Sequence, residues 1–231
     1  MYGLAGSYIY RFSDNEHIRS LKDIFNDTNK VNVLRFDGRF VYGFVDYSSG
    51  VSGTLDNDRD YILEARALAG YDIPVGQSYR WTPYLGGGWR YLNDYPGEEV
   101  SSVGHCTYER ESRYFYIPLG IEVSKPRPRQ WTWGFRGEYD FFVGGKQTSH
   151  VESCGYDTLH NSQSDGKGYK VSFRLMKHNE EIDFFLEPFY HFWEIKDSDI
   201  RPLTVQGFII GGALEPENTS KEIGFRLGFH Y

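Results

Sequence analysis

Apolar and polar residues alternate with a period of two along most of the chain. From Trp131 to Phe141 the odd positions are Trp131, Trp133, Phe135, Gly137, Tyr139 and Phe141; the even ones are Thr132, Gly134, Arg136, Glu138 and Asp140. One face is oily and the other charged, the pattern of a strand with two different neighbours. The same division recurs at the C-terminus, where Ile223, Phe225, Leu227, Phe229 and Tyr231 alternate with Gly224, Arg226, Gly228 and His230. It recurs again in Tyr61, Leu63, Ala65, Ala67, Ala69 and Tyr71 against Glu64, Arg66, Gly70 and Asp72. Such alternation gives nine candidate strands, at about 2–12, 33–47, 61–73, 79–93, 112–124, 130–145, 168–177, 182–195 and 222–231. Only residues 17–30 depart from it: Ile18, Leu21, Ile24 and Phe25 recur at helical spacing and predict a short amphipathic helix.

A soluble sandwich or lipocalin-like barrel also alternates, so the character of the polar face matters. That face combines glycines with charges, as expected where large ionic side chains share a narrow lumen with residues that leave them room. Connection lengths are a second test. From the third strand on they run short (74–78), long (94–111), short (125–129), long (146–167), short (178–181) and long (196–221). Outer-membrane barrels have this asymmetry of short periplasmic turns and long external loops. The predicted fold is therefore an all-β, antiparallel, up-and-down transmembrane β-barrel. It is a single domain over 1–231, with nine visible strands of an eight- to ten-stranded barrel. Residues 48–60 become an external loop, 13–32 a long periplasmic connection, and the C-terminus periplasmic. An even strand count asks for one more strand before Met1. No signal segment opens the chain, and both features predict a start inside a longer gene product.

Composition fits this picture. Aromatic residues reach 18%, with 19 Tyr and 17 Phe beside 26 Gly, whereas soluble cores favour Leu and Ala. A mean hydropathy of −0.56 does not argue against a barrel, because half of each strand faces away from lipid. No apolar run approaches the ~18 residues of a transmembrane helix. A net charge of −7 without a basic run disfavours a nucleic-acid partner. Residues 125–129, Lys-Pro-Arg-Pro-Arg, read as a turn between strands.

Projecting the strands puts Arg11, Arg35, Arg39, Arg66, Arg80, Arg90, Arg136, Lys170, Arg174 and Arg226 on the lumen face. Opposing them are Asp37, Glu64, Asp72, Glu122, Glu138, Asp140, Asp183 and Glu187. A lumen of this size is filled by side chains, and near-balanced buried charges pair because an unpaired ion is costly. The expectation is an ion-pair plug, with a narrow pore as the alternative. Trp131, Trp133, Phe135, Tyr139, Phe141, Phe225, Phe229 and Tyr231 are expected to face lipid.

Cys106 and Cys154 fall in long connections on one side, where an exported compartment permits a disulfide. The alternatives are free thiols, or a metal site with His105, His150 and His160, although Cys-x-x-Cys and His-x-x-x-His spacings are absent. Asp56, Asp58 and Asp60 resemble a calcium loop only in spacing. Tyr61 stands where such a loop needs Gly, so a solvated loop entering a strand is expected, with no metal and no cofactor. His191 and Glu187 share a strand face and Ser172 lies on the preceding strand, but each also serves as an ordinary lumen residue, and no catalysis is expected.

The C-terminal Phe225-Arg-Leu-Gly-Phe-His-Tyr231 resembles the terminal-strand signature of small Gram-negative outer-membrane β-barrel proteins of the porin-like superfamily. Ala67-Leu-Ala-Gly-Tyr-Asp72 and Thr82-Pro-Tyr-Leu-Gly-Gly-Gly-Trp-Arg-Tyr-Leu-Asn-Asp94 are similar to its paired strands. The resemblance covers most of the chain and implies an outer-membrane location. It also implies contact with outer-membrane lipid including lipopolysaccharide, and recognition of the last strand by the barrel assembly machinery. That superfamily holds adhesins, structural anchors, small channels and a few enzymes, so fold leaves function open. The leading expectation is a non-enzymatic barrel acting structurally or through external loops, by adhesion or a surface ligand. A small pore comes second and a lipid- or peptide-hydrolysing barrel third.

Overall fold

The computed structural model describes residues 1–12, 31–49, 53–76, 78–96, 100–125 and 130–230. The predicted helix at 17–30, most of the 125–129 turn and Tyr231 lie outside the described residues.

Nine long strands form one antiparallel up-and-down sheet. They are β1 (Tyr2–Arg11), β2 (Val33–Ser49), β3 (Gly53–Gly70), β5 (Tyr79–Tyr95), β6 (Glu109–Ser124), β7 (Trp131–His150), β9 (Gly166–Lys177), β10 (Asp183–Ile195) and β13 (Asn218–His230). Four short strands accompany them. β4 (Ile73–Val75) pairs with β5, β8 (Leu159–Gln163) extends the edge of β7 above β9, and β11 (Arg201–Val205) and β12 (Phe208–Ala213) make a separate hairpin. The sheet curls strongly into a half-barrel whose end strands β1 and β13 pair only on their inner sides.

The curl follows from side-chain contacts. β2 and β13 stand seven strand positions apart, about 34 Å along a flat sheet. Yet Arg39 on β2 donates to Glu222 on β13 at 2.5 Å. Only a concave interior permits that.

Alternation is inverted relative to a soluble protein. In β6 the interior takes Ser112, Tyr114, Tyr116 and Pro118, all buried, whereas Phe115, Ile117, Leu119 and Ile121 are exposed outside. In β7 Arg136, Glu138 and Asp140 are buried while Phe135, Tyr139 and Phe141 are exposed. This order changes at Val143, a bulge residue: Tyr116 pairs with Phe142 but Phe115 pairs with Gly144. Beyond it the odd residues Gln147 and Ser149 turn inward and are buried. One extra residue reverses every following side chain.

The strands are longer than the alternation suggests. β2 and β3 stay paired up to Ser49 and Gly53, so Asp56, Asp58 and Asp60 lie inside β3, not in an external loop. Cross-strand hydrogen bonding holds them extended although neither face there is oily.

Interior glycines receive aromatic rings from the neighbouring strand. A Cβ on Gly88 would sit 2.2 Å from the Tyr116 ring, and one on Gly120 would sit 2.4 Å from the Tyr84 phenol. Gly168 faces Trp193, Gly224 faces Phe189 and Gly228 faces Phe185 in the same cross-strand manner. The ring replaces the packing that glycine lacks.

Candidate functional site

Two arrangements stand out: the charged interior and the rim at the long-loop end.

The interior network is built from inward residues of β2, β3, β5, β6, β7, β9, β10 and β13. Arg66 donates to Glu138 Oε1 at 2.5 Å and to Asp37 Oδ2 at 2.5 Å. Arg35 donates to Asp37 at 2.6 Å and to Glu122 at 3.3 Å, and Arg136 also donates to Glu122. Arg39 joins Glu64 at 2.9 Å to Glu222, and Arg90 reaches Glu222 at 3.2 Å. Lys170 approaches Glu64 at 3.9 Å. Glu187 is held from both sides, by Arg174 at 2.6 Å and Arg226 at 2.7 Å. Forked guanidinium contacts, to two carboxylates each at Arg35, Arg39 and Arg66, explain why Arg dominates here over Lys.

At the short-turn end Asp72 accepts from Arg11 at 2.8 Å and from the Thr82 hydroxyl at 2.6 Å, with Arg80 at 3.4 Å. Asp183 pairs with His178 at 2.8 Å rather than with an arginine.

Three features escaped the sequence reading. Tyr116 donates its phenol to Glu64 at 2.6 Å and Tyr84 to Glu138 at 2.7 Å, so interior aromatics satisfy the network's spare oxygens. Trp193 is buried beside the Arg90 guanidinium, 5.6 Å from its ring centre. Glu222, outside the expected lumen set, joins Arg39 and Arg90. All four stand at the inward parity of their strands.

Of the outward set, Trp131, Phe135, Tyr139, Phe141, Phe225 and Phe229 are exposed, and Trp133 is half-buried against Phe173 at 6.3 Å.

Among the described residues no hydrogen bond joins His191, Glu187 and Ser172 to one another. Both His191 nitrogens lack a hydrogen-bond partner among the described residues; Asp140 stands 3.6 Å away and Glu222 3.7 Å. Glu187 is committed to its two arginines. Among the described residues no group of three His, Cys, Asp or Glu side chains is arranged to hold a metal ion.

At the rim, Cys106 and Cys154 form a disulfide, so neither is a free thiol or a metal ligand. His150 instead approaches Glu111 at 3.4 Å, and His160 bonds the Thr148 hydroxyl at 3.1 Å. The bridge joins the 96–108 connection to the short 3-10 turn Val151–Cys154 after β7.

Three residues further on, Asp157 accepts the backbone N–H groups of Gln206 at 3.1 Å and Gly207 at 2.8 Å, the two tip residues of the β11–β12 hairpin. Gln206 and Gly207 both have positive φ, 50° and 80°, which a tight two-residue hairpin turn requires. Hydrogen bonds from the Thr204 hydroxyl and from the tip amides hold the Asp157 carboxyl below the usual carboxylate range. The hairpin base is fixed too: Asp199 N–H donates to Ser162 O at 3.0 Å, and Ser162 N–H donates to the Asp199 carboxylate at 2.6 Å. Glu215, beside Arg110 at 3.6 Å, is buried enough for its carboxyl to be pushed above the usual range. The rim is thus a pinned framework.

No known protein-family profile matches the chain, and no curated protein matches it in sequence.

Proposed function

We propose that this chain is a Gram-negative outer-membrane β-barrel of the porin-like kind that performs no catalysis, is plugged by its ion pairs, and works through its external rim. The observation that carries this reading is the inversion itself: Arg66, Arg90, Glu64, Glu138 and Asp140 are buried inside while a continuous girdle of Phe, Tyr, Trp and Leu is exposed outside. Water as the only solvent would not leave that girdle uncovered.

The height of the girdle supports a bilayer. On β7 outward apolar residues run from Trp131 to Val143, roughly 30 Å at strand rise and ordinary tilt, against an apolar band of about 25 Å in such barrels. Outer-membrane lipid, including lipopolysaccharide, would cover it, and β13 would be read by the barrel assembly machinery. The plug reading is supported by paired charges that reach across the interior from β2 to β13 and from β3 to β7. A wet pore would leave such groups lining opposite walls.

Purified protein reconstituted into planar bilayers tests the reading. The expected record carries no steady current. Sustained unitary conductance would overturn the plug and favour the pore. Recovery of the expressed chain only in the soluble fraction would overturn the membrane assignment.

A further inference from the structure

On several strands the outward apolar run ends, toward the long loops, on a cation. On the outer face Arg113 stands next above Phe115 on β6, Lys146 above Val143 on β7, Lys167 above Tyr169 on β9 and Lys221 above Ile223 on β13. A chain of net charge −7 thus gathers positive charge at the upper edge of its girdle. Lys167 has a partner there, Glu194 at 3.4 Å. Arg113 and Lys146 lie directly opposite each other on neighbouring strands, with Ser162 of β8 next in the row on one side and Tyr91 of β5 on the other.

Like charges placed directly opposite repel each other. Lys146 is exposed and makes no ion pair among the described residues. Arg113 reaches Glu111 at 2.8 Å, and its guanidinium lies 5.8 Å from the Tyr91 ring centre. Asp199, bonded to the Ser162 amide, is itself taken by Arg201 at 2.6 Å. The row therefore offers two positive charges on backbones about 5 Å apart, a hydroxyl and an aromatic face, with the Glu111 carboxylate alone against them. Immediately below lie the exposed side chains of Phe115, Phe141 and Val143. A ligand that covers both levels needs an anionic head on an apolar body.

We propose that Arg113 and Lys146 hold the phosphate monoester of an anionic glycolipid in the outer leaflet, with its acyl chains laid on Phe115, Phe141 and Val143. This deepens the outer-membrane reading by naming one lipid site on the girdle, and rests on that reading. Charge selects the head group. A phosphate monoester loses its second proton at about pH 6, so at neutral pH it brings nearly two negative charges to two cations. A phosphodiester brings one and leaves half the repulsion standing. The guanidinium can fork to two phosphate oxygens while the ammonium adds a point contact, and Tyr91 offers a flat face to the sugar that carries the phosphate. Continuity with the girdle selects the body. An acidic soluble protein or a bare phosphate would answer the cations and leave the apolar strip beneath them uncovered; a lipid answers both at once.

Native mass spectrometry of the detergent-folded protein tests this, with three probes: phosphorylated lipid A, the same glycolipid stripped of phosphate, and phosphatidylglycerol. The phosphorylated glycolipid is expected to bind roughly ten-fold or more tighter than either of the others. Arg113→Ala combined with Lys146→Ala is expected to abolish that preference. Glu111→Gln, which frees the guanidinium, is expected to strengthen binding about three-fold, a gain that decides the matter even if the double change disturbs folding. Lys177→Ala, an exposed lysine on the outer face of β9 at the short-turn end, is expected to keep the original affinity. Equal affinity for the three lipids, a preference that survives the double change, weaker binding in Glu111→Gln, a loss as large in Lys177→Ala, or displacement of the glycolipid by an equal concentration of inorganic phosphate would each overturn the site. Recovery of the chain only in the soluble fraction would remove the membrane reading itself; a chain that enters phosphatidylcholine vesicles without these preferences would remove the lipid site alone.

Discussion

The middle of the sheet and the β11–β12 hairpin treat charge in opposite ways. In the middle, arginines and carboxylates are buried and the wall around them is apolar and exposed on every strand. In the hairpin thirteen consecutive residues, Pro202 to Leu214, lack any charge, and the exposed apolar patch is local, bordered by polar rim. A girdle that runs round all strands suits a solvent, which covers everything equally. A patch confined to one edge suits a partner. Exposure alone does not separate the two; its extent around the molecule does.

The sharpest break in the comparison comes from the interior. Arg66→Ala leaves Glu138 with the Tyr84 hydroxyl and strips Asp37 of one of its two arginines. A buried pair broken on one side costs about 3–5 kcal/mol, read as a lowered denaturant midpoint in lipid vesicles. Next comes the rim disulfide between the connection before β6 and the turn after β7. Replacing Cys106 and Cys154 by Ser opens a link spanning 48 residues of sequence, which chain entropy values at about 3–4 kcal/mol, measured in the same unfolding experiment.

The third change separates solvent from partner. Phe135→Arg, on the girdle, is expected to cost about 2–4 kcal/mol if the residue sits near the bilayer midplane. Phe208→Arg, on the hairpin, is expected to shift stability by less than about 0.5 kcal/mol. Equal costs for both would erase the distinction. The smallest effect is a pH response confined to the hairpin tip. The folded Asp157 carboxyl lies below its unfolded value, so its hold on Gln206 and Gly207 is complete above about pH 4 and is lost as pH falls through the lower, folded value. Their amide resonances should stay constant from neutral pH to about 5 and move only below about 4. Asp157→Asn should remove that step while leaving the girdle residues unchanged.

The nine long strands were legible because a wall between two unlike environments writes its period into the sequence, as in Trp131 to Phe141. Above the apolar band that contrast disappears. The upper parts of β2, β3 and β7 and the short strands β8, β11 and β12 have polar or uniformly apolar neighbours on both faces, and their extent was missed. A loop over 48–60 is what such a stretch predicts, although Ser48, Ser49 and residues 53–60 belong to the β2 and β3 strands. Inside, parity located Arg35, Arg39, Glu64 and Glu138. Tyr84, Tyr116 and Trp193 share that inward parity, although aromatic residues mark the outward face elsewhere in the sheet. The disulfide partners were legible from their shared side; the hairpin pins were not, because hydrogen bonds such as Asp157 to Gly207 join residues fifty positions apart.

The bulge at Val143 acts as a frameshift in a two-letter text. Up to that residue β7 reads oily outward and charged inward; after it the same inward frame reads Gln147 and Ser149, and the outward one Lys146 and Thr148. A single inserted residue therefore marks the height at which the wall stops addressing one medium and starts addressing another. Deleting Val143 would close the bulge and join Phe142 to Gly144, leaving Gln147 inward opposite Ser112 and Lys146 outward opposite Arg113 in an unbroken ladder with β6. The boundary of the barrel is thus spelled by where its alternation slips, not by any residue that binds or anchors.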